Sequence, residues 1–157
     1  MKESAIIISR IENVSSALGL EDRDMILRHV ALTEEEKRNS LFFFVENDQM
    51  GDYYFESEDY DSAIEYYWKA LAIVEFELGN DHCYISRELI KIAAAYNTKD
   101  EIQKAVEYLD EAVMIAKLLN SKSYSENIDA LYNAADLYDA LGLLEKAEEC
   151  RSFAEKL

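Results

Sequence analysis

The residues of this chain that could carry chemistry are few. Cys83 follows His82 directly, and the only other cysteine and histidine are Cys150 and His29, both distant in sequence. A thiolate nucleophile needs a base brought to it, and a structural zinc ion needs four ligands. This set serves neither purpose, and His82 is expected to cap or pack in a loop. Glu58-Asp-Tyr-Asp61 gathers carboxylates but lacks the spacing and glycine of a calcium loop, so solvated cap residues are expected there. The four glycines, Gly19, Gly51, Gly79 and Gly142, are scattered and make no phosphate-binding loop. No catalytic residue, metal site or cofactor is expected, and the chain reads as non-enzymatic. Its two cysteines make no disulfide framework, which fits a reducing cytoplasm.

The elements that must position whatever site exists show themselves as a repeat. Tyr54, Tyr96 and Tyr138 are 42 residues apart, as are Ala63, Ala105 and Ala147, and Ala70, Ala112 and Ala154. Gly51, Ala93 and Ala135 form a small-residue column in the same register, and Tyr60, Ile102 and Leu144 a large apolar one. Each unit has apolar spacing of three and four in two stretches, which predicts two helices. Small residues let the helices approach where they cross, and large ones such as Tyr54 and Tyr60 are expected to fill the space between. Glu56-Ser-Glu-Asp59, Asn97-Thr-Lys-Asp100 and Leu141-Gly142 supply turn and cap chemistry between the helices. The absence of proline and the scarcity of glycine also argue against a sandwich or barrel needing many tight turns.

These columns resemble the tetratricopeptide repeat, with a small residue three before a tyrosine and two alanines seven apart in the following helix. The resemblance covers roughly residues 44–157. The longer period, with Leu78-Gly-Asn-Asp-His82 and Leu89-Ile-Lys-Ile-Ala-Ala-Ala-Tyr96, looks like the variant of kinesin light chains and many bacterial signalling proteins, although Cys83 stands where that variant usually has proline. The resemblance implies an all-α, right-handed α-solenoid of three helix pairs, about 44–85, 86–127 and 128–157. Residues 1–43 show none of the columns and are expected to form a helical N-terminal cap. There Ile7, Ile11, Val14 and Leu18 make one apolar stripe, Met25, Ile26, Val30 and Ala31 a shorter one, and Thr33 with Glu36 a capping box opening a helix through Leu41-Phe-Phe-Phe44. A self-association surface is the alternative for this segment. Arg151 and Glu155 replace apolar column residues in the last helix, the polar outer face that terminal repeats carry.

The resemblance further implies that the first helices line a concave groove for a partner's peptide or helix. The positions facing that groove would be Asp48, Gln49, Asp52, Phe55 and Glu56, then Arg87, Ile90, Lys91, Ala94 and Asn97, then Asp129, Tyr132, Asn133, Asp136 and Asp139. Asn133 would hydrogen-bond a peptide backbone, and Phe55 and Tyr132 would either anchor the partner or pack between repeats. The chaperone-tail clamp of this fold needs Lys and Asn where this chain has Asp48 and Asp52, so that ligand class is not expected.

The net charge of −17 would repel nucleic acid and anionic membrane alike. Residues 44–85 carry eleven acidic residues against Lys69 alone. This is either a solvated face or a docking surface for a Lys/Arg-bearing protein or peptide, with charge complementarity setting encounter and specificity. Trp68 shares its column with Asp110 and Ser152, which predicts an outward position, either packed on the N-terminal segment or marking a second contact surface. The apolar run Ala5–Ile8 is too short for a signal peptide, and no stretch approaches a membrane span. The expectation is a cytoplasmic monomer or weak homodimer acting as adaptor, scaffold or dedicated chaperone. The alternatives are a peptide-sensing regulator of the bacterial quorum-sensing type of this fold, or an acidic nucleic-acid mimic, against which the clustering of charge argues.

Overall fold

The computed structural model describes residues 32–78, 83–119 and 124–157. The chain forms two compact units, Met1–Asn80 and Asp81–Leu157. The described residues contain seven helices and no strand, an all-α fold. The two N-terminal stripes expected within residues 1–31 lie outside the described residues.

The first unit holds α1 (Glu34–Arg38), α2 (Ser40–Glu56) and α3 (Tyr60–Leu78). The capping box is present: Glu36 N–H donates to Thr33 Oγ1 at 3.1 Å and Thr33 N–H donates to Glu36 Oε2 at 2.8 Å. The helix it opens stops after five residues, at Asn39, instead of running on, and α2 starts afresh at Ser40. Two contacts hold this corner on α3: Lys69 Nζ lies 2.7 Å from Glu36 Oε1, and Ser40 Oγ donates to Glu77 at 2.8 Å. Burial pushes the Glu36 carboxyl up, but hydrogen bonds from Lys69 and Thr33 outweigh it and hold the group below its ordinary value.

The second unit pairs α4 (Cys83–Thr98) with α5 (Ile102–Leu118) and α6 (Tyr124–Ala140) with α7 (Leu144–Glu155), and α6 also packs on α4 and α5. The hydroxyl of Ser86 donates to the carbonyl of Ala112 across the first pair at 2.8 Å. Asn127, wholly buried, donates to the carbonyl of Leu119 and so closes the end of α5.

The small-residue columns form the crossings. Ala63, Ala105, Ala147, Ala70 and Ala112 are fully buried, and Gly51, Ala93, Ala135 and Ala154 are buried too. The tyrosine column acquires a partner that the pattern alone did not single out. Tyr54 stacks on Tyr66 at 5.3 Å, and Tyr96 on Tyr108 at 5.5 Å, the same two positions one period apart. The third member of the partner column is Cys150, buried in α7. The large apolar column is less buried than expected: Tyr60 is half-buried, and Ile102 and Leu144 are exposed. Each is the first residue of its helix, beyond the crossing the alanines make.

The turns repeat as closely as the core. Asp59 N–H donates to Tyr54 O and Glu58 N–H to Phe55 O; Glu101 donates to Tyr96 O and Asp100 to Asn97 O; Leu143 donates to Tyr138 O and Gly142 to Asp139 O. This pair of bonds is the Schellman closure, which places one residue in the left-handed region. Those residues are Glu58 (φ 63°), Asp100 (φ 62°) and Gly142 (φ 75°).

Candidate partner-binding site

The expected groove residues separate into those spent on internal contacts and those left facing outward. In the first unit, the Tyr67 hydroxyl donates to Asp52 Oδ1 at 2.8 Å, across from α3 to α2. Phe55 packs edge-on against Tyr60 at 5.4 Å. Asp48 is half-buried, and Gln49 and Glu56 are exposed.

In the second unit, Asp136 and Asp139 both receive the guanidinium of Arg151, the former at 3.4 Å. Positions 52 and 67 correspond to 136 and 151, two periods on, so the same crossing is closed by a hydrogen bond in one repeat and by an ion pair in another. Between them the positions are Ala94 and Leu109, both apolar. Residues fifteen apart that change chemistry together were the signal available in the sequence. Arg151 is thus bound inside its own repeat, whereas Glu155 is exposed.

Trp68 requires a correction. It is 2% exposed and offers no second surface. The other members of its column, Asp110 and Ser152, are half-buried, and the Asp110 carboxylate is engaged by other helices: it accepts from the Tyr138 hydroxyl at 2.5 Å and from Lys146 Nζ at 2.7 Å. Burial first, and then the bond to Asp110, push the Tyr138 hydroxyl well above the usual tyrosine range.

Three of the expected residues converge. Arg87 from α4 and Asp129 and Asn133 from α6 line a pocket of about 120 Å³, together with Cys83, Tyr84, Glu126 and Ala130. The Arg87 guanidinium lies 4.9 Å over the Tyr84 ring and 3.5 Å from the wholly buried Glu88. This holds the cation at the pocket wall. Asp129 and Asn133 are exposed, as is the Tyr132 ring beside them. An exposed amide can both donate to and accept from a peptide backbone. Ile90 is buried and Lys91 half-buried, and neither lines the pocket.

Among the described residues, no group of three or more His, Cys, Asp or Glu side chains could hold a metal ion, and no described helix is long and apolar enough to cross a membrane. Cys83 and Cys150 are buried free thiols. Burial pushes the Cys150 thiol above its ordinary value.

Residues 44–117 match one tetratricopeptide repeat family model and residues 128–150 match a second. The chain belongs to the tetratricopeptide repeat family, whose members are typically non-enzymatic and bind protein partners. It is a protein–protein interaction module. Neither the curated proteins nor the solved structures contain a match to it.

Proposed function

We propose that this chain is a non-catalytic adaptor, scaffold or dedicated chaperone that holds a segment of a partner protein across α4 and α6. The observation that supports the reading is the pocket between these helices. In it Asn133 would bond the partner's backbone, and Asp129 would receive a Lys or Arg side chain, with Arg87 braced behind by Tyr84 and Glu88. Charge of opposite sign on the partner would speed encounter and select against acidic competitors.

Peptide selection against the whole chain from a random display library tests this. The selected peptides should be enriched in Lys and Arg, and their affinity should fall by about tenfold or more on Asn133→Ala or Asp129→Lys. Both residues are exposed, so circular dichroism should be unchanged. Peptides that bind the double variant as tightly as the original protein would overturn the reading.

A further inference from the structure

The second helices of the second unit enclose a groove that the pocket between α4 and α6 does not account for. α5 packs on α4 and α6, and α7 on α6, which leaves the space between α5 and α7 open. Two contacts bridge it: Asp110 lies 2.7 Å from Lys146 Nζ, and Lys117 Nζ stands 5.6 Å over the ring of Phe153. These contacts are seven residues, about two turns, apart on each helix, so α5 and α7 run parallel. Around the bridges lie two adjoining hollows of about 400 Å³ and 740 Å³, with Lys117 and Glu149 lining both. Their apolar lining is uncovered, Leu118 being 75% exposed, Leu144 67% and Met114 56%. Single exposed apolar residues are ordinary, but several around one groove with a polar rim mark a contact surface. The rim charges are sorted by sign. Glu145, Glu148 and Glu149 stand in the first half of α7, and Lys156 at its end is joined by Lys117 from the last turn of α5. The three glutamates and Lys156 are exposed, and none is spent on an ion pair or side-chain hydrogen bond among the described residues.

We infer that this groove docks an amphipathic helix of a partner protein, acidic at its N-terminal end and basic at its C-terminal end, lying antiparallel to α5 and α7. An apolar stripe at i, i+3, i+4 and i+7 would meet Met114, Leu118 and Leu144, and the flexible methionine adapts to the shape of what it meets. Charge sets the direction. The basic end of the partner lies over Glu145, Glu148 and Glu149, and its acidic end over Lys117 and Lys156. The helix dipoles act in the same sense, since the negative C-terminal end of the partner meets the positive N-terminal ends of α5 and α7. A helix basic throughout would be opposed by the two lysines, and one acidic throughout by the three glutamates. A second copy meeting the groove about a two-fold axis would also set α7 antiparallel to α7. Each copy, however, would bring three of these glutamates against two lysines, in a molecule of net charge −17, so repulsion opposes it. The groove shares no residue with the α4/α6 pocket, and the two stand or fall separately.

The test uses the whole chain and a fluorescein-labelled synthetic peptide of about 18 residues, roughly five helical turns, with leucine at i, i+3, i+4 and i+7. Glutamate fills the other positions of its first half and lysine those of its second. One control exchanges the glutamates with the lysines, and another permutes the leucines out of their stripe. A side-chain staple holds all three peptides equally helical, as circular dichroism verifies, so that helix propensity does not enter the comparison. By anisotropy, the first peptide should bind about tenfold or more tightly than either control. Met114→Ser with Leu118→Asp should abolish that margin, and Glu145→Lys with Lys156→Glu should shift the preference to the charge-exchanged peptide, while Asn133→Ala changes neither. All four altered groove residues are exposed, so the protein's own circular dichroism should be retained. Equal binding of the charge-exchanged or the permuted peptide would overturn the inference, and so would unchanged binding by the Met114/Leu118 variant. A dimer by sedimentation that this variant converts to monomer would give the groove to a second copy and overturn it as well.

Discussion

At Gly51 the lack of a side chain is a packing requirement. A Cβ built there would stand within van der Waals overlap of Tyr67 Cδ1 and Cε1, and 3.1 Å from its Cζ. Later repeats carry Ala93 opposite Leu109 and Ala135 opposite Arg151, so glycine occurs where the facing residue is a tyrosine ring. Gly51→Ala should destabilise the protein by about 1–3 kcal/mol through overpacking, despite alanine's better helix propensity. In a Tyr67→Leu background the same change should be neutral or stabilising. Chemical denaturation of the four proteins gives the coupling energy, and a cost that persists with leucine at 67 would refute this account of the crossing. The glycine was visible as one member of a small-residue column. Its dependence on residue 67 was not, because that pairing runs between helices and has no local pattern.

At the scale of the element, each first helix ends by the same closure, and only one of the three left-handed positions is a glycine. A left-handed conformation costs a side-chain-bearing residue about 1–2 kcal/mol. Glu58 and Asp100 both accept it, which shows that the closing bonds and the packed helices on either side fix the turn whatever residue fills it. Glu58→Gly and Asp100→Gly should each stabilise by about 0.5–1 kcal/mol, the relief of strain exceeding glycine's entropy in the unfolded chain. A rise in the denaturation midpoint with unchanged slope is the expected result, and a fall would mean that the carboxylates do more than fill the turn. Gly142 marked its turn in the sequence. The other two turns were legible only as polar connections, since Glu and Asp carry no signal for positive φ.

For the whole molecule, charge is the dominant global property. At −17 net, self-repulsion opposes the compact state, while the pairs Lys69–Glu36, Lys146–Asp110 and Arg151–Asp139 oppose that in turn. Since pairs with at least one partner open to solvent contribute little each, repulsion should win. The melting temperature should rise as sodium chloride is increased from about 0.01 M to 0.5 M and the screening length falls from about 30 Å to a few ångströms. A fall with salt would show that the ion pairs outweigh the net charge.

Period, fold class and family were determined by the sequence, because each crossing of two helices imposes the same size limit and the chain repeats it three times in one register. Alanines 63, 70, 105 and 112 could be located as core before any coordinates, and so could the connections between helices. Only the tertiary structure decided which polar residues were left for a partner. Asp52, Asp110 and Asp136 look alike in sequence to Asp129, yet the first three are engaged by Tyr67, by Tyr138 and Lys146, and by Arg151, while Asp129 lines an open pocket. Trp68 passed for a surface residue on the polarity of its column and is buried. Size at a crossing is a local constraint that recurs with the repeat. The partner of a hydrogen bond is chosen across space, fifteen to thirty-six residues away, and no period announces it.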